Sequence, residues 1–129
     1  MHQRKPLAYR TAIDKQARRG FRGYPIATVA YYGPNDQCAT KVVVAIILAE
    51  GAEPSLLQRW YADGDLRKDR AIVEQIMQFI RQRDARTVVA APRIIGCPHE
   101  EGVDYPEGES CPECPFWAGL NRFTGEPLD

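Results

Sequence analysis

Histidine is almost missing from this chain: His2 and His99 are the two present among 129 residues. With no Ser/His/Asp grouping, no glycine-rich phosphate loop and scarcely a histidine base, the sequence offers no recognisable hydrolytic or phosphoryl-transfer apparatus. Long hydrophobic runs are missing too. The longest, Val42 to Ala49, falls far short of the ~20 apolar residues that a membrane helix needs. The opening Met1-His2-Gln3-Arg4-Lys5-Pro6 leads to Tyr9 and Arg10 without an apolar stretch. No secretory signal is therefore expected, and the chain reads as cytoplasmic. Net charge points to no partner, since 17 basic residues balance 17 acidic ones. Internal repeats and low-complexity tracts are absent.

What is present suits one domain spanning 1–129, large enough to bury a core yet small enough to gain from a metal staple. An apolar fraction of 44% argues against disorder of the whole chain. The charge is unevenly spread. Residues 1–23 hold Arg4, Lys5, Arg10, Lys15, Arg18, Arg19 and Arg22 against Asp14 alone. From Cys97 onward, Glu100, Glu101, Asp104, Glu107, Glu109, Glu113, Glu126 and Asp129 face only Arg122. Such a dipolar chain can attract its own other end, a protein partner or a nucleic-acid backbone. A solvated basic arm and a solvated acidic loop is the plainer account.

Three parts follow from the pattern: a basic N-terminal arm (1–23), an α+β core (24–95) and a loop and tail (96–129). Leu7 to Arg19 has helix potential, stopped by Gly20. Ile26 to Tyr32 is β-branched and aromatic, a strand, followed by the turn residues Gly33-Pro34-Asn35-Asp36. Thr40 to Ala49 is apolar on both alternating faces, which predicts a central strand covered on two sides. Leu56 to Tyr61 is a third strand. After Asp69, placed to cap, Ile72, Val73, Ile76, Met77, Phe79 and Ile80 recur at spacings of three and four and define the main helix. Thr87 to Ala91 is a fourth strand halted by Pro92. The expected fold class is α+β: a small antiparallel sheet, one main helix and a C-terminal metal-bound loop. The order strand–strand–strand–helix–strand resembles the opening of a ribonuclease H-like domain, in which a helix crosses to a parallel fourth strand. The acidic residues that nucleases of that fold use to hold magnesium are missing from Ile26–Tyr32 and Thr87–Ala91.

After Ile95 the composition turns to proline and glycine (Pro98, Pro106, Pro112, Pro115; Gly96, Gly102, Gly108), too poor in apolar residues to order itself. The same stretch carries Cys97-Pro98-His99, eleven intervening residues and Cys111-Pro112-Glu113-Cys114. Cys₃His is a standard zinc ligand set, and clustered cysteines in a reducing compartment are metal ligands before they are disulfides. The motif resembles the knuckles of zinc-ribbon and related small zinc-binding domains over about a quarter of the chain. The resemblance implies a structural Zn²⁺ held by Cys97, His99, Cys111 and Cys114. One departure is Pro115, directly after Cys114, which removes an N–H that usually supports a sulfur. A closed set of four protein ligands stabilises a fold and leaves no position for activating water, which leans against an enzyme.

Two rival sites share these residues. Cys-x-His with a later Cys-x-x-His is the Rieske pattern, and with Cys114 in the last place a Cys₃His [2Fe–2S] site is conceivable. His99-x-Glu101 with Cys111-x-x-Cys114 superficially matches a zinc deaminase, but that family needs helix starts and an open coordination position. Elsewhere, Asp63, Asp65, Asp69 and Glu74 echo calcium-loop spacing, except that Arg67 and Lys68 stand where a ligand and a glycine are required. Tyr31, Tyr32, Trp60 and Tyr61 form either a base-stacking platform or half-buried core. Phe116 and Trp117 are expected to pack the metal loop against the sheet, and Cys38 is expected to be a free thiol beside a turn. The two functions in view are a non-catalytic binding or adaptor module, and a nucleic-acid accessory protein using the basic arm.

Overall fold

Alternation of apolar residues builds the sheet, and turn chemistry sets its directions. The computed structural model describes residues 11–118. Strands β1 (Ile26–Tyr32), β2 (Lys41–Ile47) and β3 (Leu56–Tyr61) form an antiparallel meander. Helix α2 (Arg70–Gln82) then carries the chain back, so that β4 (Thr87–Ile94) starts beside Ile26 and runs parallel to β1. The strand order is β3-β2-β1-β4. The fold is α+β as expected, but the sheet is mixed and not purely antiparallel, because a helical crossover restores the starting direction whereas a short turn reverses it.

Two expectations on element limits need correction. Strand β4 continues through Pro92 to Ile94. It lies at the sheet edge, and its register with β1 shifts between Val29 and Tyr31, which are paired with Ala90 and Ile94. An edge bulge is where a residue without an N–H costs no ladder bond. The N-terminal helix α1 is short, Ala12–Ala17. Thr11 starts it by a capping box: the Asp14 N–H donates to Thr11 Oγ1 (3.3 Å) and the Thr11 N–H donates to Asp14 Oδ2 (2.9 Å). Leu7 to Arg10 lie outside the described residues. By contrast, β2 is central and largely buried on both faces as expected: Lys41 and Ala45 on one, and Val42, Val44 and Ile46 on the side that carries the helices.

The side with the helices is the core. Ala27, Val29 and Tyr31 of β1, Val42, Val44 and Ile46 of β2, and Val88 of β4 meet Ile76, Met77, Phe79 and Ile80 of α2, with Ile13 of α1 added. Asp69 caps α2 through Ile72 N–H (3.1 Å). On the opposite face Lys41, Val43 and Ala45 of β2 lie beside Tyr61, Arg59 and Leu57 of β3. There Leu57, Tyr61 and Val89 are exposed. Among the described residues, no helix is long and apolar enough to cross a membrane.

Gly33, just after β1, joins the sheet to the C-terminal loop. Its N–H donates to Gly96 O (2.8 Å) and its carbonyl accepts from Trp117 Nε1 (2.7 Å). A Cβ at this position would stand 1.8 Å from the Cys38 carbonyl oxygen, so only glycine fits.

Candidate metal centre

The sheet positions the first ligand. Pairing with β1 persists beyond β4, since Ile95 N–H donates to Tyr31 O (2.9 Å) and Gly96 O accepts from Gly33 N–H, so Cys97 leaves from a fixed backbone. The His99 N–H then donates to Cys97 Sγ at 3.2 Å, closing the first knuckle. The intervening loop folds on its own polar groups. Glu100 N–H donates to Asp104 Oδ2 (2.7 Å), Gly102 N–H to Tyr105 O (2.8 Å) and Gly108 N–H to Glu101 Oε2 (2.7 Å). In the second knuckle Cys114 N–H reaches Cys111 O (3.3 Å), and Pro115 opens a 3-10 turn, Pro115–Trp117. Proline is tolerated at that first position because its missing N–H has no partner there anyway.

These turns bring all four sequence-predicted ligands together: the ligand atoms of Cys97, His99, Cys111 and Cys114 lie within 4.8 Å of one another and could hold a metal ion. His99 Nδ1 is 3.3 Å from Cys97 Sγ, 3.4 Å from Cys111 Sγ and 3.6 Å from Cys114 Sγ. One ring nitrogen carries a single proton or a single lone pair, so it cannot hydrogen-bond three sulfurs at once. Burial pushes the Cys97 thiol up, with the His99 N–H opposing the rise and Cys114 and Cys111 adding to it. Burial also raises Cys114. Thiols bind a metal cation as thiolates and release their protons to solvent as they do so.

The apolar support is slight. Tyr105, Cys111 and Cys114 form a small buried cluster, with Cys97 and Trp117 packed against it. Trp117 touches both this cluster and the main core, and so anchors the loop as expected. Phe116 does not: it stacks edge-on against Trp117 and is 42% exposed.

A polar anchor was not foreseen. Lys41 is 4% exposed, and its ammonium donates to Pro98 O (2.9 Å) and Glu100 Oε2 (3.1 Å), both on the first knuckle. It lies over the Tyr32 and Tyr61 rings, 5.6 and 5.8 Å from their centroids. Arg59 Nε donates to the same Glu100 oxygen at 3.2 Å. The hydrogen bond and charge of Lys41, aided by Arg59, hold the Glu100 carboxyl below its usual range. A lone lysine opening an otherwise apolar strand was the available sequence signal; its partner, 59 residues away, left none.

The other candidates separate. Asp65 binds Arg67 (2.8 and 2.9 Å), Asp69 caps α2 and Glu74 pairs with Arg81 (3.3 Å), so no calcium loop assembles. Glu101 is engaged by the Gly108 N–H, and the deaminase helix starts are absent among the described residues. The aromatics divide: Tyr31 is buried and Trp60 packs edge-on against Phe79, while Tyr32 and Tyr61 lie on the open face. Cys38 is a half-buried free thiol. Lys15, Arg18, Arg19 and Arg22 are exposed, whereas Arg4, Lys5 and Arg10 lie outside the described residues. Compared with protein-family models, with curated proteins and with solved structures, the chain finds no match in any of the three.

Proposed function

We propose that Cys97, His99, Cys111 and Cys114 hold one structural zinc ion, and that the protein is a non-catalytic binding or adaptor module of a reducing, cytoplasmic setting. The observation that carries this reading is the convergence of three sulfurs on one imidazole nitrogen. Ligands at zinc distances of about 2.3 Å (S) and 2.05 Å (N) in a tetrahedron stand about 3.6 Å apart, close to the 3.3–3.6 Å measured from Nδ1. A [2Fe–2S] cluster divides its four ligands between two irons and spreads them further apart, so the compact set favours a single ion. The closed Cys₃His set and the two Cys-containing turns are in keeping with zinc-ribbon-like knuckles. The order β3-β2-β1-β4, with β4 parallel to β1, is in keeping with a ribonuclease H-like opening.

Elemental analysis of purified protein tests the metal. One zinc per chain in colourless protein is the expected result; stoichiometric iron with visible absorption would replace zinc by the cluster. A nucleic-acid role is the second reading, favoured by Lys15, Arg18, Arg19 and Arg22 all standing exposed on one short segment. Its binding to duplex DNA or RNA should fall steeply with salt and disappear on deletion of residues 1–22.

A further inference from the structure

A cleft of about 540 Å³ opens between the uncovered sheet face and the first knuckle, lined by Tyr32, Lys41, Val43, Arg59, His99 and Glu100 among others. Its volume falls within the few hundred to about 1,000 Å³ usual for small-molecule sites. Across the sheet, Tyr32, Lys41 and Tyr61 form one rung, so two rings flank the ammonium. A buried ammonium requires an anion or several acceptors. That anion comes from a 41% exposed side chain on the loop, not from the sheet, and a single Glu100 oxygen serves both Lys41 and Arg59. Two cations thus converge on one carboxylate. Arg59 is bound through Nε, which leaves the terminal nitrogens of its five-donor fork directed to no partner among the described residues. Glu101, the next acidic residue on the cleft wall, accepts from Gly108 N–H within its own loop.

We propose that this cleft binds a small ligand through its oxyanion, a carboxylate or a phosphate group, in the place now held by the Glu100 carboxylate, with Lys41 and Arg59 as its cationic partners. Glu100 is then a resident stand-in, displaced by the incoming anion. The inference rests on the knuckle being held as in the zinc reading, because the knuckle forms one wall. The competing account of the second cation is that it balances the three thiolates, which together with one divalent ion carry a net negative charge. The two accounts differ in what added anions do.

The test uses the full chain with its metal, titrated by NMR with inorganic phosphate and, separately, with succinate at constant ionic strength. Saturable shifts should centre on Lys41, Arg59 and residues 96–101. Glu100→Ala should bind about tenfold more tightly than the unaltered chain, and adding Arg59→Gln should reverse that gain. Glu100→Gln, which keeps an acceptor for Lys41, serves where the alanine variant does not fold and should change affinity in the same direction. Saturation by phosphate alone identifies a phosphate ligand; saturation by succinate alone identifies a carboxylate. Folded, metal-loaded Glu100 variants that show no saturable response to either anion would overturn the proposal, as would shifts confined to the arginines of 18–22. Metal content measured on the same samples keeps the two readings apart. Zinc-loaded protein deaf to both anions removes the cleft ligand alone; anion binding by protein with no zinc removes the zinc reading alone.

Discussion

The sheet with its helix and the loop after it are ordered by different physics. Between Ile26 and Ile94, fully buried Val29, Val42, Val44, Ile76, Val88 and Ile94 fit together across the sheet, and apolar burial is reason enough for the fold. Between residues 97 and 114 the buried side chains are Tyr105, Cys111 and Cys114, and two of these three belong to the cluster that could hold a metal ion. Apolar area is scarce in the loop, which is tied to the sheet at Lys41, Gly33 and Trp117. In the zinc reading proposed above, a metal cross-link takes the place of the missing area.

The largest expected effect falls on the loop. Removing the metal with a chelator, or changing Cys111→Ser, should abolish stoichiometric zinc and with it a binding energy on the order of 10 kcal/mol. Amides of residues 97–114 should then exchange freely while those of β1 and β2 remain protected, as hydrogen exchange would record. Loss of protection in the sheet at the same rate would break the comparison and make the two regions one cooperative unit. Next comes Ile76→Ala, which empties space in the main core. It should lower stability by about 2–5 kcal/mol in urea denaturation and leave zinc stoichiometry unchanged.

The joints sharpen the contrast. Gly33→Ala forces a Cβ against the Cys38 carbonyl and should cost about 1–3 kcal/mol, with sheet and loop both affected because Gly33 serves both. Trp117→Phe removes the indole donor to Gly33 O together with part of the ring that packs on both clusters; a loss of at least about 1 kcal/mol, largest in the exchange of loop amides, is expected.

Within the sheet and its helix acid gives the smallest change, and the pH at which each region fails separates the two. Burial works against the Asp65 charge, but the hydrogen bonds and charge of Arg67 outweigh it and hold the carboxyl below its usual range. A folded value below the unfolded one means that the stabilisation is complete above about pH 4 and is lost as pH falls through the folded value. Asp65→Asn should therefore flatten the acid limb of a stability–pH curve. Glu100 has the same sign, but its partial exposure makes its share smaller. The loop should fail first on acidification, because protons compete with the metal for thiolate and imidazole before carboxylates protonate. Zinc release that trails sheet unfolding would contradict this order.

Much of this was legible in the residues. The apolar spacing from Ile72 to Ile80 and the cap at Asp69 gave α2, since local periodicity reports a helix directly. The three meander strands were visible for the same reason, and the four ligands were visible because residues with few other uses stood at ligand spacing. Pro92 misled because its meaning depends on whether a strand is central or at an edge, which sequence does not state. The two-sided cover expected for β2 holds, since Lys41 and Ala45 are buried on the face opposite Val42 and Val44. Nothing local in the sequence marks Lys41 as buried, since a single lysine is ordinarily a solvated one.

By itself, then, the sequence determined the elements whose cause is local: the caps, the strand alternation, the helical stripe and a ligand set crowded into eighteen residues. Tertiary structure decided what depends on residues far apart in the chain. It set which sheet face stays open, that three sulfurs meet on one nitrogen, and that Lys41 and Arg59 close on Glu100. The physical reason is that a hydrogen bond or ion pair is specified by a few tenths of an ångström between partners, and partners 41 to 59 residues apart are brought to that distance only by the folded chain between them.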